Sequence, residues 1–335
     1  MTASPAHTTP EAVGVAPIAL FVYRRPDHTA ALLASLQVNP QAADSLLYVF
    51  SDAAATENDA EGVRQVRALF DRLEGFAQVV LVERQRNLGC AENVIHGVGE
   101  VLAQHDRVIV VEDDLQLSPH FLAFMNRALD SYRDRREIIS ISAASPPVAA
   151  LGMQPEDVPE VYLAPRSVPW GWATWDDRWR SVDWQMHDYP RQRWNPCWRH
   201  RLARGGNDLL GMLADQWAGR VDSWNVRFNH AQAMAGSYSL YPRHSYVSNA
   251  GLDGSGRHCR ATDSYPVDLQ QALPQPLLPP ELQADAKLLH GVKAYHDEHW
   301  LSLYLGRIPG VRPLLRRIKR RLGLDRPLLK QRTGR

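Results

Sequence analysis

Val108-Ile-Val-Val-Glu112-Asp113-Asp114 is the stretch on which the fold of this 335-residue sequence turns. Four consecutive β-branched residues with no polar alternation describe a strand buried on both faces, and such strands belong to parallel sheets covered by helices. The three acids that follow mark where the strand leaves the core. Similar apolar runs occur at 18–23, 46–50, 79–82 and 138–141. Helical spacing fills the gaps at 29–36, 62–73, 91–102 and 119–132, the last with Ser118 placed as N-cap and Pro119 at the first helical position. Strand and helix in alternation predict an α/β protein with a mainly parallel, Rossmann-like sheet and flanking helices. In such sheets ligands gather at the carboxyl ends of the strands.

Those ends carry chemistry. Carboxylate oxygens are hard ligands suited to Mg²⁺ or Mn²⁺, which complete their shells with water and substrate phosphates. Neighbouring strand residues point to opposite faces, so Glu112, Asp113 and Asp114 are not equivalent ligands; acids that merely end a strand and cap a turn are the other reading. Arg24 and Arg25 follow the first strand and suit a phosphate. Asp52 follows the second and suits a base or ribose. Arg84-Gln-Arg86-Asn87-Leu-Gly89 follows the third, with Asn87 placed to cap a helix whose N-terminus favours anions. Together they describe a site for a nucleoside diphosphate.

The second half reads differently. A proline-broken stretch (146–169) precedes a Trp- and Arg-rich one (170–204), helical patterns at 208–218 and 224–235, a strand at 240–248 and a Gly-rich loop at 251–260. A proline-rich connector (266–280) and a closing helix (284–305) follow. Most of the ten tryptophans lie between Trp170 and Trp224, which fits either an apolar platform for a ring-shaped ligand or a Trp-rich core. The net charge of +1 argues against a general nucleic-acid binder. Three cysteines (Cys90, Cys197, Cys259) without metal-like spacing point to a reducing compartment. The first residues lack the pattern of a signal peptide and no apolar run has bilayer length, so a cytoplasmic protein is expected.

Several segments resemble the GT-A glycosyltransferases. Val110-Val-Glu-Asp-Asp-Leu115 followed by Ser118-Pro-His-Phe121 is similar to their acidic metal motif, especially in the animal N-acetylglucosaminyltransferases of N-glycans and O-mannosyl glycans. Asn87-Leu-Gly-Cys-Ala-Glu-Asn93 resembles bacterial family 2 enzymes. Val168-Pro-Trp-Gly-Trp-Ala-Thr-Trp175 resembles a segment of bacterial sugar transferases. Val221-Asp222-Ser-Trp224 is similar to the segment that carries the catalytic base, and Gly254-Ser-Gly-Arg-His258 to a late loop that closes over the donor. The resemblance spans about 18–260 and implies an inverting, metal-dependent transfer of a sugar from a nucleotide-diphosphate sugar to an acceptor hydroxyl, in bacterial surface polysaccharide or glycolipid assembly. It makes Asp114 the metal ligand for Mn²⁺ or Mg²⁺, Asp113 and Glu112 donor-site acids, Asp222 the general base, and Arg24 or Arg25 with Asp52 nucleotide contacts. Ser223 departs from the pattern, since the animal enzymes can carry a second acid there.

On this reading residues 1–16 form a disordered segment, 17–145 the nucleotide-sugar core, 146–265 the acceptor-side part of the same domain, and 266–335 the connector, helix and tail. Trp170 and Trp172 are candidate walls for a sugar ring, and Arg257 and His258 candidate contacts to the metal or diphosphate. Asp176 and Asp177 are alternative bases. His296-Asp-Glu-His299 lacks the spacing of a zinc helix and reads as a solvated face. From Arg307 to Arg335 eleven Lys/Arg stand against the single acid Asp325, and Leu314, Leu315, Ile318 and Leu322 form one stripe if the segment is helical; weak contact with the inner membrane surface is expected there, beside a lipid-linked saccharide acceptor. A sugar-phosphate nucleotidylyltransferase is the competing enzyme class, but Tyr23-Arg-Arg-Pro-Asp27 lacks the Gly-rich loop it would need. A non-catalytic carbohydrate-binding protein would need neither the three acids nor Asp222.

Overall fold

Six parallel strands and two antiparallel ones form a single sheet in the computed structural model, which describes residues 14–253 and 267–298. The strands are β1 (Ile18–Val22), β2 (Leu46–Ser51), β3 (Gln78–Glu83), β4 (Arg107–Glu112), β6 (Ile138–Ser142), β7 (Val161–Ala164), β8 (Trp172–Trp175) and β9 (Tyr238–Pro242), in the order β3-β2-β1-β4-β8-β6-β9-β7. β7 and β8 run against their neighbours. A separate two-stranded ribbon pairs β5 (Leu115–Leu117) with β10 (Val247–Asn249). The mixed α/β architecture with a mostly parallel sheet is the one expected from alternating strand and helix signals.

Alternation along β1 explains the layers. Ile18, Leu20 and Val22 face one core with α1 (Pro26–Gln37), α2 (Glu57–Ala68) and α4 (Phe121–Ser131). Ala19 and Phe21 face a second core with α3 (Gly89–Leu102) and α9 (Trp224–Ala235). Helix α3 packs so closely that a Cβ on Gly97 would lie 2.7 Å from the Phe21 ring and 2.9 Å from Phe50. Helix α5 (Asp176–Arg180) packs on α3 and β8, and three further short helices, α6 (Tyr189–Gln192), α7 (Pro196–Ala203) and α8 (Asp208–Trp217), build a helical lobe around α9 with its own apolar centre at Tyr189, Trp198, Leu202 and Leu213. Helix α10 (Ala286–His296) packs against β7.

Several local expectations are corrected. Helix α4 begins at Phe121, not Pro119; the Ser118 hydroxyl accepts from the His120 amide while the Ser118 amide is held by the Tyr246 carbonyl, so 118–120 form a turn. The strand expected at 240–248 is two strands, β9 and β10, in different sheets. The proline-broken stretch contains β7, and the Trp-rich one opens with β8. Residues 14–16, expected with the N-terminal segment, are anchored: Ala16 is fully buried and its amide donates to Asn126 Oδ1. The rest of that segment, Arg257, His258, Cys259, His299 and the basic tail lie outside the described residues. Among the described residues no helix is long and apolar enough to cross a membrane.

Candidate functional site

The site follows from strand order. β1 lies between β2 and β4, so the chain leaves β1 to one side and later crosses back to the other. Such a reversal opens a crevice at the carboxyl ends of the two central strands. Parallel register aligns those ends, with Val22 beside Ser51 and Phe21 beside Glu112. The residues just beyond, Tyr23 to Arg25 and Asp113 with Asp114, therefore meet across the crevice.

They meet through Arg25. One guanidinium nitrogen donates to Asp113 Oδ1 at 2.5 Å and to Asp114 Oδ2 at 2.9 Å. Asp113 and Asp114 form the turn between β4 and β5, which lets consecutive residues face one partner. The Tyr23 amide donates to the second oxygen of Asp113. Burial by itself would lower the Arg25 pKa, but the charges of Asp113 and Asp114 outweigh it and the net shift is upward. Burial raises the Asp113 carboxyl, with Arg25 pulling it down and Asp114 pushing it up.

Glu112 turns to the other side. Burial pushes its carboxyl up to about 8, the charges of Asp114 and Asp113 add to this, and a hydrogen bond from the Trp224 side chain works against it. Trp224 stacks on Trp172 at 4.6 Å and opens α9 immediately after Asp222 and the cap Ser223. It ties the acidic strand end to the segment that carries the candidate base. Sequence reading used Trp224 only as a marker beside Asp222; its place in an acid-x-Trp segment was the available signal.

Asp222 is 53% exposed, with one oxygen 2.6 Å from the Arg227 guanidinium, which also reaches Glu92 on α3. Its other oxygen makes no hydrogen bond among the described residues. Trp224, bonded to Glu112, and Arg227, shared between Asp222 and Glu92 on α3, set Asp222 on the face of the sheet to which Glu112 turns. Asp176 and Asp177 lie elsewhere: β8 runs against β4 with Trp175 opposite Arg107, so both acids sit at the far end of β4, paired with Arg180 and Arg136.

The segment after β10 closes over Asp114. The Ala250 amide donates to the Asp114 carbonyl at 2.8 Å, and a Cβ on Gly251 would lie 2.9 Å from Asp114 Cγ. Only glycine allows so close a crossing. Asp114 Oδ1 and Arg25 Nη1 are both buried and without a hydrogen-bond partner among the described residues.

Other sequence candidates take different places. Arg24 pairs with Asp59 on α2 and is half-exposed, away from Arg25. Asp52 is buried and holds the start of α3: its oxygens accept from the amides of Leu88 and Gly89, each at 2.9 Å, and from Asn87 Nδ2. Asp52, not Asn87, therefore serves the helix start, and its carboxylate faces backbone amides rather than an open ribose site. Arg86 is exposed. Trp172 is corrected outright: at 2% exposure, packed against Trp179, Trp224 and Phe228, it is core and cannot wall a sugar. Trp170 is partly buried against the main core. His296 ends α10, and Asp297 accepts from the Asn207 amide.

Among the described residues no group of three His, Cys, Asp or Glu is arranged to hold a metal ion. The described residues thus offer no all-protein cage. A Mg²⁺ or Mn²⁺ site does not require one, because such ions are commonly held by one or two carboxylates with phosphate and water supplying the rest. Asp114, with one oxygen buried and unpartnered, and Asp113 beside it fit that mode.

No family model matches this sequence, and no curated protein matches it. Among solved structures it is similar to the mannosyltransferase PcManGT from Pyrobaculum calidifontis in complex with GDP-Man and Mn²⁺. That alignment covers 69% of this chain and 73% of the other at 15% identity and a TM-score of 0.36, a likeness too slight to bear on activity.

Proposed function

We propose that this protein is a divalent-metal-dependent glycosyltransferase that moves a sugar from a nucleotide-diphosphate donor to an acceptor hydroxyl by a single inverting displacement. The observation that carries the reading is the convergence of Asp113, Asp114 and Arg25 at the sheet's reversal point, with the segment of Asp222 tied to the same strand end through Trp224 and Glu112. A diphosphate leaving group needs positive charge and an attacking hydroxyl needs a proton acceptor, and this crevice holds groups for both.

Asp114 and Asp113 would hold the ion, which when bound stabilises the charge that develops on the departing diphosphate. Arg25 lies against the same carboxylates, and its buried Nη1, without a partner among the described residues, has a donor left to give to a phosphate oxygen. Glu112, held by Trp224, fixes the strand end relative to the base segment. Asp222, with one oxygen oriented by Arg227, takes the proton from the acceptor hydroxyl as that oxygen attacks. The resemblance of the acidic, Asn87–Asn93 and Asp222 segments to GT-A enzymes supports the same assignment.

Calorimetry with nucleoside diphosphate tests the donor half. Binding should require Mn²⁺ or Mg²⁺ and disappear in Asp114→Ala with an unchanged melting curve. Equal affinity with and without the ion would remove the metal from the account.

A further inference from the structure

The helical lobe carries a surface that the transfer reaction does not use. Between Tyr189 and Gly206 the sequence has five arginines and no acid. Arg191, Arg193, Arg199 and Arg201 are exposed, Arg204 is partly so, and none has an acidic partner among the described residues. Their polar contacts run to neutral groups: Arg199 to the Arg193 carbonyl, Arg201 to the Met234 carbonyl and Arg204 to the Tyr238 hydroxyl. Nearby acids are already engaged, Asp188 with His230, Asp208 with Arg166 and Asp215 with Arg220. The positive charge of this face is therefore uncompensated.

Its apolar content is equally unusual. Trp194, 73% exposed, sits between α6 and α7 with the Arg193 guanidinium 4.8 Å from its ring centre. Of the five large hydrophobic side chains most exposed among the described residues, Trp194, Met212 and Trp217 all belong to this lobe. Beside Trp194 an open depression of about 590 Å³ is lined by Pro196, Cys197, His200, Arg201 and Arg204, a cationic hollow of headgroup size. Just past Arg204, Glu298 and Asn207 exchange hydrogen bonds.

We propose that the face carried by residues 191–204 docks the protein on an anionic membrane surface, with Trp194 entering the headgroup layer and the arginines meeting lipid phosphates. An exposed tryptophan with a guanidinium over its ring has an apolar body and a polar edge, the combination that settles at the bilayer interface. Charge alone would suit any soluble polyanion; the exposed Trp194 favours lipid. Attachment through a few cations and one aromatic is reversible and salt-sensitive. This inference stands apart from the transferase reading, because its test involves no turnover.

The experiment is flotation of the full chain with vesicles of phosphatidylcholine, with and without phosphatidylglycerol, at low and high salt. Wild type should float only with phosphatidylglycerol and be released by salt. The triple variant Arg193→Gln/Arg199→Gln/Arg201→Gln should lose about 100-fold in partition, at roughly fivefold per near-surface cation. Trp194→Ser, which keeps every charge, should also lower it; being exposed, this change leaves folding intact and decides the matter if the triple variant unfolds. Wild-type flotation by either well-folded variant overturns the proposal, as does binding to heparin through these arginines without binding to vesicles. Displacement from vesicles by free inorganic phosphate at low concentration would make the hollow a phosphate site and overturn it too.

Discussion

Replacing Gly251 by alanine asks whether the ribbon after β10 sets the position of Asp114. The added methyl would lie 2.9 Å from Asp114 Cγ and 3.0 Å from its Cβ, inside any normal carbon–carbon contact. Neither side yields readily. Ala250 is hydrogen-bonded to the Asp114 carbonyl, Gly251 to Asn249 Oδ1, and β10 is in register with β5 through Asn249 and Leu115. Overpacking of this kind costs about 1–3 kcal/mol. If the carboxylate turns aside to relieve it, that energy appears as a loss of roughly 5- to 150-fold in metal-dependent diphosphate affinity, with the melting temperature little changed. If the ribbon moves instead, the loss appears in stability and affinity stays put. Calorimetry with Mn²⁺ and nucleoside diphosphate, alongside thermal melts, separates the two. Wild-type affinity in a destabilised variant would refute the view that Gly251 positions Asp114.

Three further substitutions probe the site. Asp222→Asn should bind donor normally and slow transfer by about 10²-fold or more, as for loss of a general base; unchanged transfer would leave Asp222 no role beyond its ion pair with Arg227. Asp52→Ala leaves the amides of Leu88 and Gly89 without acceptors and should destabilise the fold by about 1–3 kcal/mol, seen in denaturant titration; lost nucleotide affinity at unchanged stability would instead support a ribose contact. Glu112 keeps its proton to about 8 when folded and loses it near 4.5 when unfolded, so unfolding releases a proton in that window and stability falls as pH rises through it. Melting of the metal-free protein between those limits should show this slope, and Glu112→Gln should flatten it; parallel curves would contradict a buried, protonated Glu112.

Much of the parallel half was legible because its signals are local. Short apolar runs rich in β-branched or aromatic residues gave β1 to β4 and β6, and the spacing of Leu32, Leu33 and Leu36 or Val94, Val98 and Val101 gave α1 and α3. What escaped depended on contacts distant in sequence. β8 is four residues long, and Trp172 and Trp175 look like a ligand platform until both faces are seen covered. β9 and β10 read as one strand because nothing local reveals that Val247 pairs with Leu117 in another sheet. At the site, Arg25, Asp113, Asp114 and Asp222 were identifiable as residues suited to the chemistry. The division of labour between Arg24 and Arg25 was not, because it depends on α2 presenting Asp59 to one of them. Asp52 misled for a related reason: a strand-end acid looks the same whether it awaits a ligand or the start of the next helix.

The central claim, donor activation by Asp114 with a divalent ion, is met most directly by one assay. Purified full-length protein is incubated with a panel of UDP-, GDP- and dTDP-sugars, and release of nucleoside diphosphate is followed with Mn²⁺, with chelator, and for Asp114→Asn. The account predicts release from at least one donor by the wild type with Mn²⁺, abolished by chelator and by the substitution, in protein that melts normally. Release that persists in Asp114→Asn or in chelator at the wild-type rate would contradict it.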